Sequence, residues 1–330
     1  MQDVRHSSAN ANANQSILPM QLTAQDFPSH SLNPQFPTGG FVQIRAYAKI
    51  NLFLDVLGKR DDNYHNLISI MQSLELCDDL QFELCNTTNI NLELNEHSNG
   101  NNLPLDDSNL IIKAAKLLTK EYKINQGVNI KLTKRIPMGA GLGGGSSDCA
   151  ATLHGLNKLF NLNIPLHRLV EIGTKLGADV PFCLMGGTAL AQGIGEKLTP
   201  LPPHPPCHVV LACPNIHVST GHIFGKLNLL KTKDCYSDAI TAYKTGDILK
   251  IANHLFNIFT PITSAIYPQI SHLIADFKAI GALGANMTGT GSTVFAYFEN
   301  EKNAQNACDI ISNKHSVKTI LSATRKGEIL

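Results

Sequence analysis

The segment Pro137-Met138-Gly139-Ala140-Gly141-Leu142-Gly143-Gly144-Gly145-Ser146-Ser147-Asp148 carries the densest chemical signal in the chain. Five glycines among the seven residues from Gly139 to Gly145 let backbone N–H groups converge on one point, because no Cβ blocks close approach or positive φ. Two serines then open a segment whose Ala150, Leu153, Leu156 and Phe160 fall on one face of a helix. The free N–H groups and positive dipole end of such a helix favour an anion, most naturally a phosphate. A flexible linker is the bland alternative. The strand before the segment and the amphipathic helix directly after it argue against a linker.

Three phosphate loops make different demands. A Walker A loop needs Gly-Lys-Ser/Thr, and no lysine lies between Pro137 and Leu156. Gly139-x-Gly141-x-x-Gly144 spells the dinucleotide fingerprint, which expects an acidic residue about 20 positions on, at the end of a second parallel strand. No acid occurs between Asp148 and Glu171, and the stretch between them reads as helix. A protein-kinase loop would bring HRD and DFG elements, and neither is present.

The elements that must hold the loop follow from periodicity. Phe41–Ile44, Ile50–Val56, Leu67–Leu76, Leu80–Leu84, Ile90–Leu94 and Val128–Leu132 read as strands, with a polar turn over Gly58–Asn63. Asn109–Tyr122 reads as a helix behind Ser108 as N-cap, followed by helices over Ser147–Phe160 and Leu166–Leu176. A strand follows at Thr188–Gln192, and the prolines of Pro200–Cys207 demand a loop or linker. The rest reads as strand Val209–Cys213, helices within Asp238–Phe259 and Tyr267–Ile280, strand Thr293–Phe298, helix Ala304–Asn313 and strand Val317–Leu321. Strands first, helices next and a second mixed set suggest two α+β lobes.

The pattern Pro-x-Gly-x-Gly-Leu-Gly-Gly-Gly-Ser-Ser resembles the ATP loop of the GHMP kinases, small-molecule kinases named for galactose, homoserine, mevalonate and phosphomevalonate. Ala48-Lys49-Ile50-Asn51-Leu52 is similar to that superfamily's first motif and Met287-Thr288-Gly289-Thr290-Gly291-Ser292 to its third. Lys49–Leu54, Tyr64-His65 and Leu176–Phe182 narrow the resemblance to the branch acting on a CDP-linked methylerythritol. It covers the chain from about Val42 onward. Tyr47, where Pro commonly precedes Ala-Lys, and Asn63, where Gly usually precedes Tyr-His, depart from the pattern. Asp106-Asp107-Ser108 before Asn109 is a further unusual insert.

The resemblance implies a two-lobed α+β GHMP kinase fold. Residues 1–40 would be a flexible extension. Residues 41–200 would form an ATP-binding lobe like the ribosomal protein S5 domain 2-like fold, and residues 201–330 an α+β lobe of ferredoxin-like character. It implies an ATP- and Mg²⁺-dependent phosphotransferase acting on the 2-hydroxyl of the CDP-alcohol, in isoprenoid precursor synthesis. Asp179 would be the base and Lys49 its cationic partner. Apolar neighbours such as Val180 and Phe182 would disfavour an ionised Asp179, and Lys49 would restore it. Read alone, Asp179 before Pro181 is a helix N-cap, and a lysine in a strand is solvated at its tip. Pro137, Met138, Gly139, Ala140, Gly141, Leu142, Gly143, Gly144, Gly145, Ser146 and Ser147 would wrap the ATP phosphates, with Gly289, Thr290 and Gly291 beside them. Ser147 could also help hold Mg²⁺. Tyr64 and Phe224 would stack on the cytosine and His65 bond its polar edge, while Asn51 and Thr220 hold the methylerythritol diphosphate. Without the motifs, Tyr64 and Phe224 read as packing residues and His65 as a surface turn.

Composition excludes other classes. With 27 Lys+Arg against 26 Asp+Glu the net charge is +1, which gives no general attraction to nucleic acid or to an anionic membrane. Charged residues make up 16% and apolar residues 43%, enough for a sizeable core. No apolar run approaches the ~20 residues of a membrane span. Residues 1–40, low in complexity and then proline-bearing, lack the marks of a secretory signal or transit peptide and read as a flexible tail or an early start. Eight scattered cysteines without a CxxC pair, and no HExxH, predict reduced thiols, a cytoplasmic setting and no metal site of the protein's own. The alternatives are another kinase of the superfamily, of homoserine or mevalonate type, a nucleic-acid-binding protein with a related lobe, or a degenerate ligand sensor. Retained Lys49 and Asp179 speak against the last. The expected partner is a small molecule, with no nucleic acid and no membrane. Oligomeric state is left open by the sequence.

Overall fold

The computed structural model describes residues 40–62, 64–98, 103–227 and 236–327. The proposed N-terminal extension apart from Gly40, the Asn63 departure and Cys235 therefore lie outside the described residues.

The chain opens with two long antiparallel strands, β1 (Phe41–Lys59) and β2 (His65–Cys85), followed by β3 (Ile90–Leu94). The sequence reading divided each of the first two into shorter pieces. The structure joins them, and the alternation fails for a physical reason. From Ala48 to Val56 every residue of β1 is buried, because both faces of the strand are covered. Ile44 and Ala46 pack in one core, Ala48, Ile50, Leu52 and Phe53 in a second, and Leu54 and Val56 in a third. The β1–β2 register also shifts between Tyr47 and Lys49, between Asn51 and Phe53, and between Val56 and Gly58. Such bulges re-aim side chains and are frequent beside active sites.

There follow α1 (Leu110–Glu121), β4 (Gly127–Thr133), α2 (Gly144–Leu159), α3 (Leu166–Thr174), α4 (Val180–Met185), β5 (Thr188–Gly193) and β6 (Lys197–Pro200). Asn109, not Ser108, caps α1: its side chain accepts the Ile111 N–H at 2.9 Å, while the Ser108 hydroxyl donates to Asp106 at 2.6 Å. Helix α2 begins at Gly144, three residues earlier than its apolar face suggests, and it is buried on all sides from Ser147 to Leu156.

The second half comprises β7 (His208–Cys213), α5 (Thr220–Gly225), α6 (Tyr236–Lys244), α7 (Ile248–Asn253), β8 (Phe256–Asn257), α8 (Thr260–Ile266), α9 (Gln269–Ala279), β9 (Gly284–Met287), β10 (Val294–Phe298), α10 (Glu301–His315) and β11 (Lys318–Ala323). Two sheets result. The first runs β3-β4-β2-β1-β8, with β5 on β2 and β6 on β5; the second runs β11-β7-β10-β9, antiparallel throughout. With helices between β7 and β9 and between β10 and β11, the second sheet has the strand order of a ferredoxin-like unit. The two-residue β8 lies in sequence among the elements of the second half, yet it pairs in parallel with β1, Phe53 opposite Phe256 and Leu54 opposite Asn257.

Candidate active site

Lys49 and Asn51 stand on the buried middle of β1, between its first two irregularities. The Lys49 Nζ lies 3.3 Å from the Asp179 Oδ2 and donates to the Asn51 Oδ1 at 3.0 Å. Asp179 occupies the N-cap position of α4, but its backbone is helical (φ −85°, ψ −12°) and its side chain makes no cap hydrogen bond. The carboxylate is thus directed to Lys49 rather than to its own helix. It is also less enclosed than its apolar sequence neighbours suggest: the side chain is 38% exposed, against 5% for Lys49.

Asn51 ties this pair to the third glycine motif. Its Oδ1 also accepts from the Gly289 N–H at 3.1 Å and the Thr288 hydroxyl at 3.2 Å, and its backbone N–H donates to the Thr288 Oγ1. Its Nδ2 donates to the Ser69 Oγ, which donates on to the Phe53 carbonyl. Its carbonyl oxygen is thus saturated by three donors of the protein.

The glycine loop closes over Lys49. The Lys49 N–H donates to the Leu142 carbonyl at 3.0 Å. Gly143, at φ +70°, is the N-cap of α2; a Cβ there would sit 2.8 Å from the Lys49 Cγ. Gly141, at φ +79°, lies so close to the third motif that a Cβ would meet the Thr288 carbonyl oxygen at 2.5 Å. The first intrahelical bond runs from the Ser147 N–H to the Gly143 carbonyl, so the amides of Gly144, Gly145 and Ser146 have no acceptor within the helix. These are the donors an anion would meet.

Two cavities flank the loop. The larger, about 860 Å³, is lined by Lys49, Asp179, Tyr64, His65, Thr220 and Phe224 among others, and the smaller, about 390 Å³, by Pro137 to Ser146 with Ser108 and Asn109. Gly141, Gly143 and Ser146 line both. In the larger cavity the Phe224 ring lies between those of His65 (5.1 Å between centroids) and Phe259 (4.6 Å), while Tyr64 is 60% exposed at the rim. Burial and then the charge of Lys59 hold His65 below the ordinary imidazole range, which keeps the ring neutral at neutral pH. The Thr220 and Thr290 hydroxyls are 3.2 Å apart and join α5 to the third motif.

Behind the loop, Lys134 donates to Asp78 at 2.5 Å and to Asp148 at 2.6 Å, all three buried. The other Asp78 oxygen accepts the Arg135 and Ile136 N–H groups, fixing the chain just ahead of Pro137. The Asp148 Oδ1 has no partner. Burial holds the Asp148 carboxyl far above the carboxylate range, reinforced by Asp78 and opposed by Lys134. Burial alone would lower Lys134; its two carboxylates outweigh that and raise it.

The structure therefore brings together Lys49, Asp179, Asn51, Gly289, Thr290, Thr220, His65, Phe224 and most of the loop. Ser147 lines neither cavity: it is buried and its hydroxyl donates to the Tyr47 carbonyl at 2.6 Å. Leu142 lines the smaller cavity but its side chain is buried, contributing its carbonyl to Lys49, and Gly291 lines neither cavity. Sequence reasoning passed over Ser69, Thr288, Phe259 and the triad. Thr288 was within reach, since it is part of the third motif; Phe259 joins its partners only through tertiary packing. Among the described residues no group of three or more His, Cys, Asp or Glu could hold a metal ion, and no helix is long and apolar enough to cross a membrane. The seven described cysteines are free thiols.

Two family models match, the GHMP kinases N terminal domain over residues 109–187 and the GHMP kinases C terminal over residues 239–317. A 4-diphosphocytidyl-2-C-methyl-D-erythritol kinase of Lachnoclostridium phytofermentans is 42% identical over 268 residues, 81% of this chain and 91% of the relative. One from Exiguobacterium sibiricum is 44% identical over 79% of this chain and 91% of its own. The chain belongs to the 4-diphosphocytidyl-2-C-methyl-D-erythritol kinase family. A crystal structure titled 4-(cytidine 5'-diphospho)-2C-methyl-D-erythritol kinase superposes with a TM-score of 0.75 at 29% identity, covering 87% of this chain and 100% of that one. A homoserine kinase from Cytophaga hutchinsonii shares the fold, with a TM-score of 0.69 at 18% identity over 91% of this chain and 98% of its own. The two-lobed α+β architecture is thus the GHMP kinase fold, and this family is one branch of it.

Proposed function

We propose that this chain transfers the γ-phosphoryl group of ATP to the 2-hydroxyl of 4-diphosphocytidyl-2-C-methyl-D-erythritol, a step of non-mevalonate isoprenoid precursor synthesis. One observation carries the reading: Gly141, Gly143 and Ser146 belong to the walls of both cavities, and Lys49 and Asp179 line the larger one. A triphosphate held by the loop from the smaller side would present its last phosphorus to an alcohol on the larger side. In-line transfer needs that geometry, balanced charge and a destination for the hydroxyl proton.

Asp179, partly exposed and 3.3 Å from Lys49, is the group to orient the hydroxyl and accept its proton. Lys49 pairs with that carboxylate and faces the transferred group. The amides from Gly144 to Ser146 donate to phosphate oxygens; bonds of this type are worth about 1.5–3 kcal/mol each. Mg²⁺ suits a site with no carboxylate cage, since ATP phosphates supply most of its oxygens; Ser146, which lines both cavities, would be the hydroxyl to help hold it. His65 and Phe224, with Phe259 behind them, form the cytosine end. Tyr64 at the rim is free to close over the base. Residues 41–200 and 201–330 act as the two lobes, with β8 as the strand the second lends to the first.

The test is ATP consumption by the purified chain with CDP-methylerythritol, CDP, mevalonate and homoserine as separate acceptors. Turnover is expected with the first alone. Comparable turnover of mevalonate or homoserine overturns the assignment.

A further inference from the structure

The larger cavity carries a charge that phosphoryl transfer leaves over. Among the described residues, the Lys, Arg, Asp and Glu side chains lining it are Lys49, Lys59 and Asp179. Lys49 and Asp179 neutralise each other. Lys59 has no ion-pair partner among the described residues, whereas its neighbour Arg60 is clamped onto Asp62 at 2.8 Å. Lys59 ends β1 directly opposite His65, the first residue of β2. Opposed residues of an antiparallel pair present their side chains on one face, so the ammonium stands beside the imidazole at the groove's rim. The downward pull that Lys59 exerts on His65 agrees with that proximity.

We infer that Lys59 is a specificity-determining residue of the groove, where its ammonium binds the diphosphate of a nucleoside diphosphate-linked alcohol beside the base-binding His65. This rests on the function proposed above and deepens it. An ammonium offers three donors to phosphate oxygens, and one without a carboxylate breaks no internal pair on binding an anion. The excess of positive over negative side chains favours an acceptor with a diphosphate over mevalonate or homoserine, which carry none.

The experiment has two arms on the full-length chain. Steady-state kinetics at saturating ATP compare wild type with Lys59→Gln, Lys59→Glu and Lys59→Arg. The KM for CDP-methylerythritol should rise about tenfold in Lys59→Gln, the loss of one charge-assisted bond. It should rise further in Lys59→Glu and recover to within about twofold in Lys59→Arg, with the KM for ATP unchanged. Calorimetry of CDP and cytidine, which needs no turnover, forms the second arm: Lys59→Gln should weaken CDP binding about tenfold and leave cytidine binding as it was. An unchanged acceptor KM, or equal weakening of CDP and cytidine, overturns the role of Lys59. A wild type that binds CDP yet phosphorylates no CDP-alcohol overturns the proposed reaction, while the CDP–cytidine difference still decides Lys59.

Discussion

Two lysine–aspartate groups lie on opposite sides of the glycine loop. Lys134 is enclosed with Asp78 and Asp148, all three almost wholly buried, with Lys134 and Asp148 at the inner wall of the smaller cavity. Lys49 faces Asp179, whose carboxylate opens onto the groove. The sealed group spends its bonds on the protein: it fixes Arg135 and Ile136 and braces the start of α2. The open one leaves carboxylate surface for a substrate. Solvent access, more than residue type, separates scaffold from chemistry here, since a buried pair must satisfy its own charges whereas an exposed carboxylate can exchange partners.

The contrast can be broken at either end. Asp179→Asn should lower turnover by roughly 10²–10⁴, the usual worth of a positioned base, with thermal unfolding near that of the wild type. Wild-type turnover would move the chemistry elsewhere. Lys134→Met should instead act on stability: leaving buried Asp78 and Asp148 without their shared cation costs about 3–5 kcal/mol, read from urea unfolding. A variant as stable as wild type would show that the triad does not hold the fold. Gly143→Val, which strains φ +70° and drives a side chain into Lys49, should weaken ATP binding by about tenfold or more in calorimetry, the loss of at least one charge-assisted bond. Wild-type affinity would separate the loop from the nucleotide.

A further effect concerns pH. The carboxyl of Asp148 is raised on folding, so the folded state holds its proton more tightly than the unfolded chain. The stability this confers is complete below the ordinary carboxylate range and is lost as pH rises through the folded value, toward about 8. Asp148→Asn should therefore flatten the fall in melting temperature between pH 5 and 9. An identical slope in both proteins would place the titrating group outside the triad.

The glycine loop and the helix behind it were legible because their signals are local: glycines that free the backbone, then an apolar face. The open pair was legible only through motif resemblance, since Asp179 alone reads as a cap. Its helical φ and ψ leave the side chain without a cap hydrogen bond. The sealed triad left no trace, because Asp78, Lys134 and Asp148 come from three separate segments. The long β1–β2 pair was hidden for another reason: register shifts and burial on both faces erase the two-residue rhythm that marks a strand.

The short strand β8 bears on how the chain can be divided. Its pairing with Phe53 and Leu54, and the Ile258 N–H donated to the Leu54 carbonyl at 2.9 Å, cover an edge that would otherwise be open. Asn257 then grips the Met287 and Gly289 carbonyls through its side chain. A fragment ending near residue 200 would bare that edge to any passing strand and would lack both Asn257 and the third motif it holds.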